Sequence, residues 1–129
     1  MLSEDTQILT YKKLSRASDI QLGDMLITHV GRLQKVMSVS VDHFEGSLII
    51  IIPFTGPAFK VTSEHEILTT DGWKQAVSIT LEDLMVVVND KPVQAKSIST
   101  VHYNGSVYDF TVERDHSYVL GLIAAKGLG

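Results

Sequence analysis

The sequence predicts an all-β domain, and three observations carry that prediction. Short apolar stretches rich in β-branched residues follow one another along the whole chain. Turn-forming pairs and single glycines or prolines separate them at close intervals. No stretch holds the sustained i, i+3, i+4 apolar spacing of an amphipathic helix.

Taken in order, Gln7–Thr10 reads as the first strand. Ser18–Asp24 reads as one helical turn, with Ser18 capping free N–H groups and Gly23 closing it at positive φ. Met25–His29 and Leu33–Val41 follow as strands, the second with Val36, Ser38 and Ser40 on alternate positions. Gly46 and Pro53 bracket the next strand, which contains the apolar run Leu48–Ile52, and Gly56-Pro57 marks a turn. Phe59–Val61 and His65–Thr69 are strand-like on either side of Thr62-Ser63-Glu64, and Asp71-Gly72 is a tight-turn signal. Thr80-Leu81-Glu82-Asp83 resembles a capping box, which predicts a second short helical turn before the apolar run Met85–Val88. Asn89-Asp90-Lys91-Pro92 is a polar break. Val93–Tyr103, Asn104-Gly105 and Ser106–Val112 read as a hairpin around a type I′ turn. The apolar stretch Tyr118–Ala125 closes the fold.

A chain of 129 residues suits one domain, residues 1–129, around one core. Its net charge of −4 speaks against a nucleic-acid or anionic-membrane surface, and pairs such as Lys12-Lys13 read as solvated. No run approaches the roughly 20 apolar residues of a spanning helix, and the polar, acidic start Met1–Thr10 is unlike a secretory signal. With no cysteine, the chain has no disulfide, no thiolate metal ligand and no cysteine nucleophile. Its five histidines are dispersed without clustered carboxylates, so no metal site is expected, and His29, His43 and His102 read as structural or solvated.

Three separated segments carry a family resemblance. Met1-Leu2-Ser3-Glu4-Asp5-Thr6-Gln7-Ile8 matches a block of the pattern Cys or Ser, Leu, two variable residues, Asp, Thr, a variable residue, Ile. Val61–Leu68 followed by Asp71-Gly72-Trp73 holds a Thr-x-x-His core at Thr62 and His65. Val107–Tyr118 forms a late block, and Gly121–Ala125 follows it as a hydrophobic strand. Together these segments resemble the intein, or Hint (hedgehog–intein), domains, and the late block is similar to cyanobacterial DNA-polymerase split inteins. The resemblance implies a Hint horseshoe of short, curved antiparallel strands with one or two short helical turns. It also implies a mini-intein without homing endonuclease, whose insertion or split point falls near residues 89–91. The implied partners are flanking extein polypeptides in cis, or a complementary fragment if the domain is split. A monomer without cofactor, acting in the cytoplasm, completes the expectation.

Splicing is an autocatalytic rearrangement. A side chain at the first position attacks the preceding carbonyl, the acyl group passes to the residue after the intein, and a terminal Asn cyclises. By the resemblance, His65 contacts the scissile amide and protonates its nitrogen, and Thr62 hydrogen-bonds the same junction. Asp109 helps activate the nucleophile, and His116 assists the downstream step.

The sequence departs from the pattern at both ends. Met1 stands at the nucleophile position, and a thioether has no proton to lose and forms no acyl intermediate. Ser3 as a substitute would misplace the attacked carbonyl. Lys126 falls at the cyclising Asn, a small register shift would put Gly127 or Leu128 there, and the last asparagine is Asn104. No Cys, Ser or Thr follows Ser117. The expectation is therefore a splicing domain that is inactive as written. The alternatives are a non-processing Hint scaffold used as a structural or binding module, and an unrelated small β-barrel.

Overall fold

A computed structural model describes residues 1–11 and 13–129; Lys12 lies outside the described residues, and its neighbour Lys13 is exposed. Among the described residues the chain is all-β, with eleven strands and two single 3₁₀ turns. Among the described residues no helix is long and apolar enough to cross a membrane.

The strands form two antiparallel sheets. The first contains β4 (Met25–Ile27), β5 (Leu33–Pro53), β6 (Phe59–Val61), β1 (Leu2–Ser3) and β9 (Ala95–Val112), in that order. Because β5 also pairs with β9, this sheet closes on itself. The second runs β3 (Leu14–Arg16), β2 (Gln7–Leu9), β10 (Ser117–Leu120), β11 (Ile123–Lys126), β7 (Glu66–Thr69) and β8 (Gly72–Gln75). One cluster of buried side chains serves both, from Leu2, Phe59 and Val61 on the first to Ile67, Tyr118 and Ile123 on the second.

Two long strands replace several expected short ones. Gly46 does not interrupt β5, and Asn104-Gly105 does not turn: Phe44 pairs with Gly105 and Glu45 with Asn104 inside one continuous ladder. The expected hairpin is therefore absent, and Val93–Tyr103 and Ser106–Val112 fall largely on a single strand. A type I′ turn needs positive φ at both central residues, and neither Asn104 nor Gly105 has it. What decides the outcome is pairing across the molecule, since β5 and β9 satisfy each other's backbone from Val36↔Val112 to Pro53↔Ala95. Register shifts at Val36/Ser38 and Ile52/Pro53 mark irregularities of the kind that bend a paired ribbon.

Smaller differences have local reasons. The first 3₁₀ turn spans Ala17–Asp19, so Ser18 lies inside it and caps nothing, although Gly23 does adopt positive φ (+88°). The second 3₁₀ turn is Ala76–Ser78, ahead of the expected position. At Thr80–Asp83 the Asp83 carboxylate accepts the Thr80 N–H (2.8 Å), as in a capping box. No helix follows, because Met85 is drawn into bridges with Thr69 and Val93. Tyr118–Ala125 is itself a hairpin, β10 to β11, turning at Gly121 (φ +63°), where a Cβ would meet Pro57 at 2.5 Å.

Candidate active site

The site follows from the register of β1. Leu2 pairs with Val61 on one side and Tyr108 on the other, and Ser3 pairs with Val107. One residue earlier, antiparallel geometry puts Met1 between Thr62 and Asp109. The Thr62 N–H donates to the Met1 carbonyl (2.9 Å), which continues the β1–β6 pairing to the first residue.

Polar side chains lock that register. The Thr6 hydroxyl joins Ser3 Oγ (2.7 Å) and accepts the Lys60 N–H (3.1 Å), tying the turn after β1 to β6. Asp5 accepts from Ser3 Oγ (2.7 Å) and pairs with Lys60 (3.2 Å); the Ser3 hydrogen bond is the main cause that holds its carboxyl below the usual range. Ser3 is fully buried and committed to this network, so its hydroxyl is not presented to the carbonyl ahead of Met1.

Four expected residues come together here. The Met1 nitrogen lies 3.0 Å from Thr62 Oγ1, 2.8 Å from His65 Nδ1 and 3.7 Å from Asp109 Oδ2. His65 Nδ1 lies 3.9 Å from the same carboxylate oxygen. His65 sits on a tight turn closed by its N–H to the Thr62 carbonyl (3.1 Å) and held from behind by the Ala76 N–H (2.8 Å). Thr62, His65 and Asp109 are all buried, so each charge or proton among them is costly to misplace.

The electrostatics follow from burial. Desolvation and the adjacent ammonium push His65 down to about 3, against a smaller raising effect of the Lys126 backbone. The imidazole is therefore neutral near pH 7, with Nδ1 accepting from the Met1 nitrogen and the proton on Nε2. That Nε2 has no hydrogen-bond partner of normal geometry among the described residues. Burial also lowers the Met1 amine, opposed by Asp109 and Glu64. Asp109 is raised by burial, opposed by the ammonium and by the Tyr118 hydroxyl.

His116 lies apart from this cluster, exposed and in the left-handed region (φ +50°). Its carbonyl accepts the Gly127 N–H (2.8 Å), and a Cβ built on Gly129 would lie 2.5 Å from its Nδ1. The turn before it is tied down through Asp115, which accepts from Thr28 Oγ1 (2.6 Å) and from the Arg32 guanidinium (2.9 Å at Nε). Arg32 is the main cause that holds the Asp115 carboxyl far below its usual value.

A cleft of about 360 Å³ is lined by Met1, Glu64, His65, Glu66 and Asp109 together with Lys126–Gly129. Lys126 reaches its edge with the ammonium over the Trp73 ring, 5.7 Å from the centroid. A second cleft of about 380 Å³ at Ser15, Asp24 and Met25 shares no lining residue with the first. His29 bonds Ser117 Oγ (2.6 Å), and His43 and His102 are exposed on the β5–β9 ribbon.

Sequence reasoning missed Tyr118. Its hydroxyl donates to Asp109 Oδ1 at 2.5 Å, and its ring packs near His65 (6.1 Å) and edge-on to Phe110 (5.6 Å). The signal was present, a tyrosine just after His116, but it reads equally as the start of an apolar strand.

Comparison with solved structures places the fold. A DnaB intein from Synechocystis sp. PCC 6803 superposes with a TM-score of 0.88 at 21% identity, covering 99% of this chain and 98% of that one. The MchDnaB-1 intein (N145AA) matches at 0.84 and 20% identity, covering 99% and 100%. The gp41-1 intein matches at 0.84 and 19% identity, covering 98% and 97%. No protein-family model and no curated protein sequence matches the chain. The fold is therefore that of the inteins, as the three sequence blocks led one to expect.

Proposed function

We propose that this chain, which has the intein fold, is a protein-splicing domain that holds its junctions without being able to break them. The observation that carries the reading is the position of the Met1 nitrogen, gripped at once by Thr62 and His65 and faced by Asp109. In a longer polypeptide that nitrogen is the amide of the bond ahead of Met1. Thr62 and His65 then bind the scissile amide, and Asp109 stands beside the first side chain.

In this reading a thiol or hydroxyl at position 1 loses its proton to Asp109 as it adds to the preceding carbonyl carbon. The C–N bond breaks, and the released nitrogen takes a proton from His65 Nδ1, which has first taken one up and ends neutral. The ammonium that helps depress His65 is replaced by a neutral amide, so the imidazole is easier to protonate in a fused chain than in the free one. Met1 cannot perform the addition. Lys126, Gly127, Leu128 and Gly129 line the cleft, and none of them carries a side-chain amide. These two absences equally favour a second reading, a Hint scaffold that no longer processes and serves as a structural or binding module.

Both readings meet one experiment. The chain is placed between two reporter proteins with Met1→Cys and an asparagine at 126 or 127, followed directly by cysteine. Position 127 is included because Gly127, not Lys126, hydrogen-bonds to His116. Mass spectrometry of ligated reporters is the expected result, lost on His65→Ala. A folded protein that neither ligates nor releases the upstream reporter with added thiol sinks the splicing reading and leaves the scaffold.

A further inference from the structure

The two oxygens of Asp109 stand in different surroundings. Oδ1 accepts the Phe110 N–H (2.9 Å) and the Tyr118 hydroxyl (2.5 Å), which fills its acceptor positions. Oδ2 has no such donor and faces the Met1 nitrogen (3.7 Å) and His65 Nδ1 (3.9 Å). The bond also spans the two sheets, since Asp109 lies on β9 and Tyr118 on β10.

A phenylalanine would fill the same fully buried space at position 118, so packing alone does not require the hydroxyl. The ring cannot swing away, held between His65 and Phe110. Burial and the neighbouring carboxylate keep the Tyr118 hydroxyl protonated well above its usual value, so it remains a donor at every working pH.

We propose that Tyr118 is a positioning residue for Asp109: by occupying Oδ1 it makes Oδ2 the oxygen that takes or releases a proton at the Met1 junction. A carboxyl free to rotate would present either oxygen, half the time with the proton turned into the core. With Oδ1 fixed by two donors, the proton acquired by a neutral Asp109 sits on the atom facing the reacting groups. This part deepens the splicing reading and rests on it for its role; the geometry of the pair stands without it.

The test has two arms. In the chain as it stands, the Asp109 side-chain carbon is followed by NMR against pH in the parent and in Tyr118→Phe. Loss of a donor to the charged form moves the Asp109 transition to higher pH. The parent is also expected to show a slowly exchanging, downfield Tyr118 hydroxyl proton that disappears in Asp109→Ala, which removes the acceptor. An unmoved transition in folded Tyr118→Phe overturns the proposal. If that variant does not fold, a hydroxyl signal indifferent to Asp109→Ala overturns it instead.

In the second arm, Met1→Cys is fused behind a reporter, and thiol-induced release is timed across pH. Tyr118→Phe is expected to slow release about tenfold, as for one lost hydrogen bond to a charged group, and to move the pH profile upward. Equal rates and profiles overturn the proposal. No release even with Tyr118 present overturns the splicing reading, while the first arm still decides the Tyr118–Asp109 pair.

Discussion

At the scale of single residues, His65 illustrates how burial decides chemistry. Its ring is neutral in the folded chain down to about pH 3, whereas an unfolded histidine binds a proton near 6.5. Between those values the unfolded state holds the extra proton, so stability falls as the pH falls, by about 1.4 kcal/mol per pH unit. Asp109 acts with the opposite sign, because its raised value lets the folded state bind a proton first. Urea unfolding from pH 6.5 to 4.5 separates the two: His65→Gln should remove the histidine's share of the slope while leaving that of Asp109. An unchanged slope would mean the imidazole is charged in the fold. The candidate positions at this site were legible from their motif, and Thr62, His65 and Asp109 lie beside Met1; what they do there belongs to the proposed function. Tyr118 was not legible, because a buried hydroxyl and a plain apolar tyrosine are the same letter until a partner is seen.

Asn104-Gly105 is the instructive element. As a dipeptide it is a strong hairpin signal, and local propensity was read accordingly. The tertiary alternative wins because turning there would abandon the ladder that β5 and β9 form along nearly their whole lengths. Asn104 is exposed and lies in a strand, so Asn104→Thr is expected to be neutral or stabilising, by up to about 1 kcal/mol in urea unfolding. In a type I′ turn the same change would destabilise, since β-branched residues resist positive φ. Between Val41 and Ser47 the ribbon has no buried residue on β5, which explains why no burial pattern in the sequence marked this stretch as continuous. Where one face is buried, as at Phe59–Val61, expected and observed strands coincide.

On the scale of the whole molecule, the short strand β1 has consequences far beyond its length. Leu2 is fully buried between Val61 and Tyr108, and through it β6 meets β9 and the first sheet closes. The same pairing carries Met1 into the cleft, so fold closure and site assembly are one event. Leu2→Ala is expected to cost about 2–5 kcal/mol and to speed amide exchange at Val61 and Tyr108. A loss below about 1 kcal/mol would show that closure does not depend on this contact. The core contacts join residues distant in sequence, which makes this a slow-folding topology relative to helical proteins of similar size.

By itself the sequence determined the all-β class, most strand positions and the turn at Asp71-Gly72, and it offered candidate residues at positions 1, 62, 65, 109 and 116. These are local facts: β-branched content, turn chemistry and motif spacing are written within a few residues of one another. Tertiary structure alone decided that Asn104-Gly105 stays extended, that the first sheet closes through β1, and that Tyr118 holds Asp109. Each depends on backbone or side-chain partners many residues away. A ladder that runs the length of two strands can overrule a local turn preference, because each cross-strand hydrogen bond adds a net gain of about 0.5–1.5 kcal/mol and turning at Asn104-Gly105 would forfeit several together.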